Sequence, residues 1–397
     1  MTNSQHLDFS FYLSLFCCLH LWLLCLFLVL KKQKRFPDFL LATFLFGFSA
    51  IHIQHLLLQV GYISYVPFLD PIMGVVLSTL GPLFYFYVRS LTGENQLFKK
   101  MKPHIIVLVP ALVHFFYLLF TKSGAQLHEY YYRSDDLATR YTLINLMLLM
   151  GMLGYFLFYL VASIKVLNRH ATRIRESYSN IEKIQLGWLK DLIIALMIFA
   201  CVIAPVSILI ADTHFSQLAV AYFSTFIYFI IVYKSLNYST VFSGGLMPEP
   251  IRVQGQDQTN AISLEIQQAE RYTKSSLSSN QVEEYGHSVE IFLVSNNLLY
   301  DQTLSLKQMA EALKLSPHVL SEVINRYYNK SFFDVVNSFR VEEAKKQLKQ
   351  IEQLNYTIEG IGYSCGFGSK TTFYRAFKKH AGLTPSEFNA LKPAKGR

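Results

Sequence analysis

The chain has 397 residues, of which 52% are hydrophobic and only 16% charged, against roughly a quarter charged in an ordinary soluble domain. Its 36 Lys+Arg against 27 Asp+Glu give a formal net charge of +9. That length allows two domains or more, and the scarcity of charge argues against a wholly soluble chain. The five cysteines, Cys17, Cys18, Cys25, Cys201 and Cys365, have neither metal-ligand spacing nor an even framework, which argues against a secreted disulfide scaffold.

From the N-terminus, seven apolar runs approach the roughly 20 residues needed to cross a bilayer. They are Phe9–Leu30, Phe39–Val60, Ile72–Val88, His104–Thr121, Tyr141–Ile164, Leu192–Ala211 and Phe215–Tyr233. No basic residue precedes the first, and Lys31, Lys32, Lys34 and Arg35 follow it at once. Those flanks predict a retained helix with its N-terminus outside rather than a cleaved signal peptide. The loops then placed inside, Lys31–Asp38, Arg89–Pro103 and Lys165–Asp191, hold 14 Lys+Arg, whereas the outer ones hold only Lys122, Arg133 and Arg140. Basic loops stay on the cytoplasmic side, so seven crossings that begin outside deliver Lys234 and everything after it to the cytoplasm.

Polar residues interrupt these runs: His52 and His55 near the outer end of the second, His114 in the fourth and Asn145 in the fifth. Intramembrane polar groups are costly and often functional. His52, His55, His114 and Asn145 are therefore candidate ligand-binding residues for an unknown small ligand or signal. Hydrogen bonding between helices is the simpler reading of the same residues, and a metal or haem site from the three histidines is a third. The chain contains no HExxH, no nucleophile motif and no phosphate loop. No catalytic residue, cofactor or resident metal is expected, and the chain is not expected to be an enzyme.

Composition shifts after Ser235. The stretch "NYSTVFSGGLMPEPIRVQGQDQTNA" is rich in Gly, Pro, Gln and Ser and reads as a tether, which as a coil spans about 35–40 Å. The expected division is residues 1–236 for a seven-span sensor domain, 237–279 for the linker and 280–397 for a helical domain. Asn280 and Glu283 have capping-box spacing, so a helix is predicted from Asn280.

Two helix-turn-helix units follow. In the first, Ser305 caps a short helix with an apolar face of Leu306, Met309, Ala310 and Leu313. Ser316 and Pro317 then open a second helix, on which Leu320, Val323, Ile324 and Tyr327 point inward and His318, Ser321, Glu322 and Asn325 outward. A long helix over Ser331–Gln350 spaces this unit from the next. In the second unit Thr357 caps a helix carrying Ile358 and Ile361, Gly366 and Gly368 flank Phe367 at the turn, and Ser369 caps the last helix. Phe373, Ala376 and Phe377 point inward there, with Lys370, Thr371, Tyr374, Arg375 and Lys378 outward. From Gly360 to Arg397 there are seven Lys+Arg and one acid, a basic tip suited to a polyanion.

The outward sets suit a major groove. Lys370 and Arg375 can donate to guanine, Asn325 can pair with adenine, Glu322 can accept from cytosine N4, and the Thr371 methyl can meet thymine. Lys378, Lys379 and Arg340 suit phosphates, which position a protein without specifying sequence. The acid on the first reading helix predicts that it contributes less non-specific affinity than the second.

Residues from about Asp301 to Leu391 resemble the AraC-type DNA-binding domain. The likeness is carried by "SLKQMAEALKLSP", "SFRVEEAKKQL" and "IEGIGYSCGFGSKTTFYRAFKKHAGLTPSEF", above all by the closing "GLTPSEF". It implies two helix-turn-helix units entering successive major grooves, with base-facing roles on His318, Ser321, Glu322, Lys370, Thr371 and Arg375. Gly362 departs from the family's usual Ala, at an expected cost of about 1 kcal/mol in a helix interior. The whole layout resembles bacterial membrane-embedded AraC-type regulators with seven spans.

The expected fold is therefore all-α: a seven-helix transmembrane bundle followed by a cytoplasmic AraC-type domain. The expected function is one-component transcription regulation from the bacterial inner membrane. Double-stranded DNA and membrane lipid are the expected partners, with RNA polymerase and a second copy of the chain as further ones. The rival readings are a membrane enzyme and a membrane anchor whose helical domain binds protein.

Overall fold

The computed structural model describes residues 9–32, 35–66, 68–93, 104, 108–121, 143–182, 184–203, 206, 213–237, 277–351 and 356–391. Among the described residues it contains helices and no strand, apart from one isolated bridge between Tyr178 and Ser305. The chain falls into two compact units, Met1–Arg169 with Leu186–Leu246, and His170–Gln185 with Met247–Arg397. The tether expected at 237–279 lies almost wholly outside the described residues.

In the first unit the helices are α1 (Phe9–Leu30), α2 (Phe36–Gln59), α3 (Leu69–Leu91), α4 (Leu108–Thr121), α5 (Leu143–Ser177), α6 (Gly187–Ile198) and α7 (Thr213–Asn237). Each overlaps one of the seven apolar runs in part or in full. Four helical stretches among the described residues are long and apolar enough to cross a membrane: Phe9–Leu30, Phe36–Gln59, Pro71–Leu91 and Met150–Ser177. In the sixth run α6 is followed directly by a π turn at Phe199–Ile203, and residues 204, 205 and 207–212 lie outside the described residues.

The surface of this unit is apolar. Leu23, Phe27, Phe39, Phe46, Phe158 and Phe226 are all exposed, an arrangement that suits lipid and not water. Its interior is joined by polar contacts between helices. Trp22 Nε1 donates to Ser49 Oγ at 3.0 Å, and Cys17 Sγ lies 3.7 Å from Thr225 Oγ1. Such bonds average about 0.6 kcal/mol in membranes.

Helix α5 does not end at Ile164, where its apolar run ends. It continues to Ser177, with Leu167, His170, Ile174 and Ser177 buried at the 3–4-residue spacing of one helix face. Its last turns, from His170, belong to the second unit. There the chain turns back, and His170 Nε2 donates to the Ile184 carbonyl at 3.0 Å.

The rest of the second unit comprises α8 (Ser279–Ser295), α9 (Leu306–Ala312), α10 (Pro317–Tyr328), α11 (Phe332–Lys349), α12 (Ile358–Ser364), α13 (Lys370–Ala381) and α14 (Pro385–Ala390). The cap of α8 is Ser278, not Asn280. Its side chain accepts from the Gln281 N–H, and Gln281 returns the bond to the Ser278 backbone. Two apolar cores form. The first gathers Val289, Leu293, Met309, Val323, Phe332 and Val336. The second gathers Val341, Leu348, Ile361, Phe367, Phe373 and Phe377. Helix α11 supplies both, so one rod carries two separate cores.

Candidate nucleic-acid interface

Each helix-turn-helix is fixed by local chemistry. Ser305 caps α9 and forms a capping box with Gln308. Ser316 caps α10, with Pro317 in the first turn. Thr357 accepts from the Gly360 N–H at the start of α12, and Ser369 accepts from the Thr372 N–H at the start of α13. Each cap satisfies a backbone donor that would otherwise be orphaned, worth about 1 kcal/mol.

The apolar stripe then sets which way each reading helix faces. On α13, Phe373, Ala376 and Phe377 are buried, while Lys370, Thr371, Arg375, Lys378 and Lys379 are exposed. Tyr374 is half-buried against the second core, with its hydroxyl 3.2 Å from Ser386 Oγ. On α10, Leu320, Val323 and Ile324 are buried and His318 is exposed. Ser321, Glu322 and Asn325 are only half-exposed. Glu322 accepts from Arg326 Nη1 at 2.9 Å, and Arg326 Nη1 also donates to the Leu277 carbonyl.

Two of the basic groups are already engaged by carboxylates. Lys370 pairs with Glu359 of α12, and this raises its pKa. Lys379 donates to Asp334 at 2.6 Å, joining the end of α13 to the start of α11. Burial pushes the Asp334 carboxyl up, but hydrogen bonds from Lys379 and Ser331 and the charge of Arg175 outweigh it and hold the group below its usual range. A phosphate approaching either lysine would exchange one anion for another. Sequence reasoning missed Glu359 and Asp334 as partners, because neither lies within a turn of its lysine.

Arg340 corrects an expectation. It is not a phosphate contact but, among the described residues, the largest fully buried side chain, 0% exposed. Its Nε donates to the Leu299 carbonyl at 2.8 Å and its Nη2 to the Asp301 carbonyl at 2.6 Å and Ser179 Oγ at 3.3 Å. Burial pulls its pKa down to about 10, so it stays charged at neutral pH. Gly362 is also more than a weak point in a helix. A Cβ there would stand 2.6 Å from the Phe373 ring, so the small residue lets α12 and α13 pack.

The candidate ligand residues divide. His52 and His55 are both buried on α2, with Ser10 Oγ 3.0 Å from His55 Nε2. The side chains of His114 and Asn145 lie outside the described ones. Among the described residues no three His, Cys, Asp or Glu side chains are grouped to hold a metal.

Residues 309–390, from within α9 to the end of α14, match the family model for a helix-turn-helix domain. The C-terminal domain is a helix-turn-helix domain of the AraC type. Among curated proteins, the AraC-type domain is 25% identical over 92 residues to the melibiose operon regulatory protein of Escherichia coli (strain K12), covering 23% of this chain and 30% of that protein. It is 29% identical over 89 residues to the uncharacterized HTH-type transcriptional regulator YijO of the same organism, covering 22% and 30%. With the uncharacterized transcriptional regulatory protein YesN of Bacillus subtilis (strain 168) it shares 34% over 92 residues, covering 23% and 24%. The chain thus spans less than a third of the length of these relatives. No solved structure matches it.

Proposed function

We propose that this chain is a sequence-specific, DNA-binding transcription regulator held in the bacterial inner membrane. Residues 1–236 form a seven-span domain with its N-terminus outside that senses a signal. Residues 237–279 tether it to the AraC-type domain at 280–397, which binds promoter DNA in the cytoplasm. The observation that carries this reading is α13, a capped helix inside the matched domain that presents Lys370, Thr371, Arg375 and Lys378 to solvent. Base edges are met by Lys370, Thr371 and Arg375, with His318, Ser321, Glu322 and Asn325 as the second set. Tyr374 lies beside them, and phosphates are met by Lys378 and Lys379.

The membrane placement is supported by the four apolar helices, the exposed apolar surface and the excess of basic residues in the predicted inner loops. The signal is taken to act where His52, His55, His114 and Asn145 enter the spans. It can act only through unequal affinity for two states of the sensor. RNA polymerase and a second copy of the chain are its proposed protein partners.

The test is to map the membrane-embedded chain on cellular DNA beside a Lys370→Ala/Arg375→Ala variant. Discrete sites that vanish in the variant are expected. Identical maps for the two proteins would sink the proposal.

A further inference from the structure

Residues 170–185, the end of α5 and the turn after it, are built into the AraC-type domain although more than ninety residues separate the two in sequence. Ser179 is the centre of the contact and is 1% exposed. Its N–H and its hydroxyl both donate to the Leu304 carbonyl, at 3.1 and 2.7 Å. Its own carbonyl accepts from Asn337 Nδ2 at 3.4 Å, and its hydroxyl accepts from Arg340 Nη2. The segment therefore touches the cap of α9 and the middle of α11 together.

It also reaches both reading helices. Glu176 lines one small cleft with Ser321 and Asn325 of α10, two of the residues expected to read bases. Asn180 lies over Gly368, immediately before the cap of α13, so close that a Cβ on Gly368 would collide with its amide. Gly368 thus makes room for Asn180. DNA brings phosphates to helix N-termini and to outward reading residues, the same ground that Glu176 and Asn180 occupy.

We infer that residues 170–185 are an inhibitory strap on the DNA-binding face, docked in competition with DNA. The inference rests on the DNA-binding reading above. The occupant of the surface is this chain's own segment, and the strap is the end of a helix that starts in the other unit. Displacing it would uncover Ser321 and Asn325 and remove Glu176 from their cleft. Fastening it down would keep DNA off even with the exposed cations of α13 intact.

The Cγ of Asn180 lies 2.8 Å from the place of a Gly368 Cβ, so a cysteine pair at these positions is within the roughly 3.5–4.5 Å Cβ separation of a disulfide. The full chain carrying Asn180→Cys/Gly368→Cys, in lipid nanodiscs, would be oxidised and assayed for retention of genomic DNA fragments before and after reduction. Single-cysteine variants serve as redox controls, and Lys370→Ala/Arg375→Ala sets the baseline. A cross-link should form, and its reduction should raise retention roughly tenfold, equivalent to about 1.4 kcal/mol. Gly368→Ala, which pushes Asn180 away, should bind more tightly than the parent without any redox step.

Equal retention by the cross-linked and reduced forms would overturn the inference, because the strap would then be compatible with DNA. So would failure of the two thiols to join while both react with maleimide. If the cross-link forms but parent, reduced form and Gly368→Ala all stay at the baseline, it is DNA binding that fails, and inhibition falls with it.

Discussion

The two helix-turn-helix units share a plan and differ in what they show to solvent. Both open on a serine- or threonine-capped short helix, both turn into a serine-capped reading helix, and both pack that helix on α11. Yet α13 presents Lys370, Arg375, Lys378 and Lys379 in the open, while α10 presents one exposed histidine, and its Ser321 and Asn325 share a cleft with Glu176. The same scaffold therefore supports two roles. Exposed positive charge is concentrated on the second unit, and on the proposed reading the first holds discrimination and its control. A fold-level likeness would assign both helices the same weight, whereas their side chains do not.

This contrast can be broken at several points. The largest effect is expected where the two units are joined. Arg340→Leu should cost about 3 kcal/mol or more, since it strands the buried carbonyls of Leu299 and Asp301. Chemical denaturation of the full chain, followed by a probe on α11, checks this, and a change below about 1 kcal/mol would mean that the guanidinium is dispensable.

Next, Arg375→Ala should cost about 1–3 kcal/mol at one base position and relax specificity there, whereas Glu322→Ala should shift preference without lowering total binding. Selection of binding sites from random DNA by each protein separates the two. Gly362→Ala should lower the melting temperature of the second unit, by an amount equivalent to about 1–3 kcal/mol for a clash in a packed core. An unchanged melting temperature would mean that Phe373 swings aside freely.

Lys378→Ala should weaken binding to all sequences alike and reduce the salt slope by about 1, which titration at several salt concentrations measures. The smallest effect is expected from the Asp334–Lys379 pair. Asp334 titrates below its ordinary value of 3.8, so the unfolded chain takes up its proton first. Its contribution is present above about pH 3.8 and is lost as pH falls through the lower folded value. With Lys379 half in solvent the pair is worth about 0–1 kcal/mol. Asp334→Asn should flatten the acid side of the stability profile by no more than that.

Much of the AraC-type domain was legible because its signals are local. Ser305, Ser316, Thr357 and Ser369 each sit next to the backbone donors they satisfy, so spacing alone identifies the caps. The start of α8 was misplaced by the same logic, because Ser278 with Gln281 and Asn280 with Glu283 are both plausible boxes. The pairs that were not legible are distant ones. Lys379 meets Asp334 across 45 residues, and Ser179 meets Leu304 across 125, with nothing in either segment to announce the other. Arg340 read as a phosphate ligand because its charge is visible in sequence and its burial is not. Gly362 read as a defect because the helix it sits in was visible and the ring of Phe373 against it was not. The surplus length of α5 was readable in principle, since Leu167, His170, Ile174 and Ser177 keep helical spacing past the apolar run.

The contact of Ser179 with Leu304 also has a schedule. The ribosome completes residue 179 well before residue 304, and at about 5–20 residues per second the 125-residue interval is roughly 6–25 s. When Leu304, Asn337 and Arg340 emerge, the segment that will hold them has already been made, and the loop closed between them is among the longest in the chain. The DNA-binding domain thus folds onto a partner that is waiting for it. On the inhibitory reading a newly made molecule is shut at birth, and no interval of unregulated binding separates its synthesis from its control.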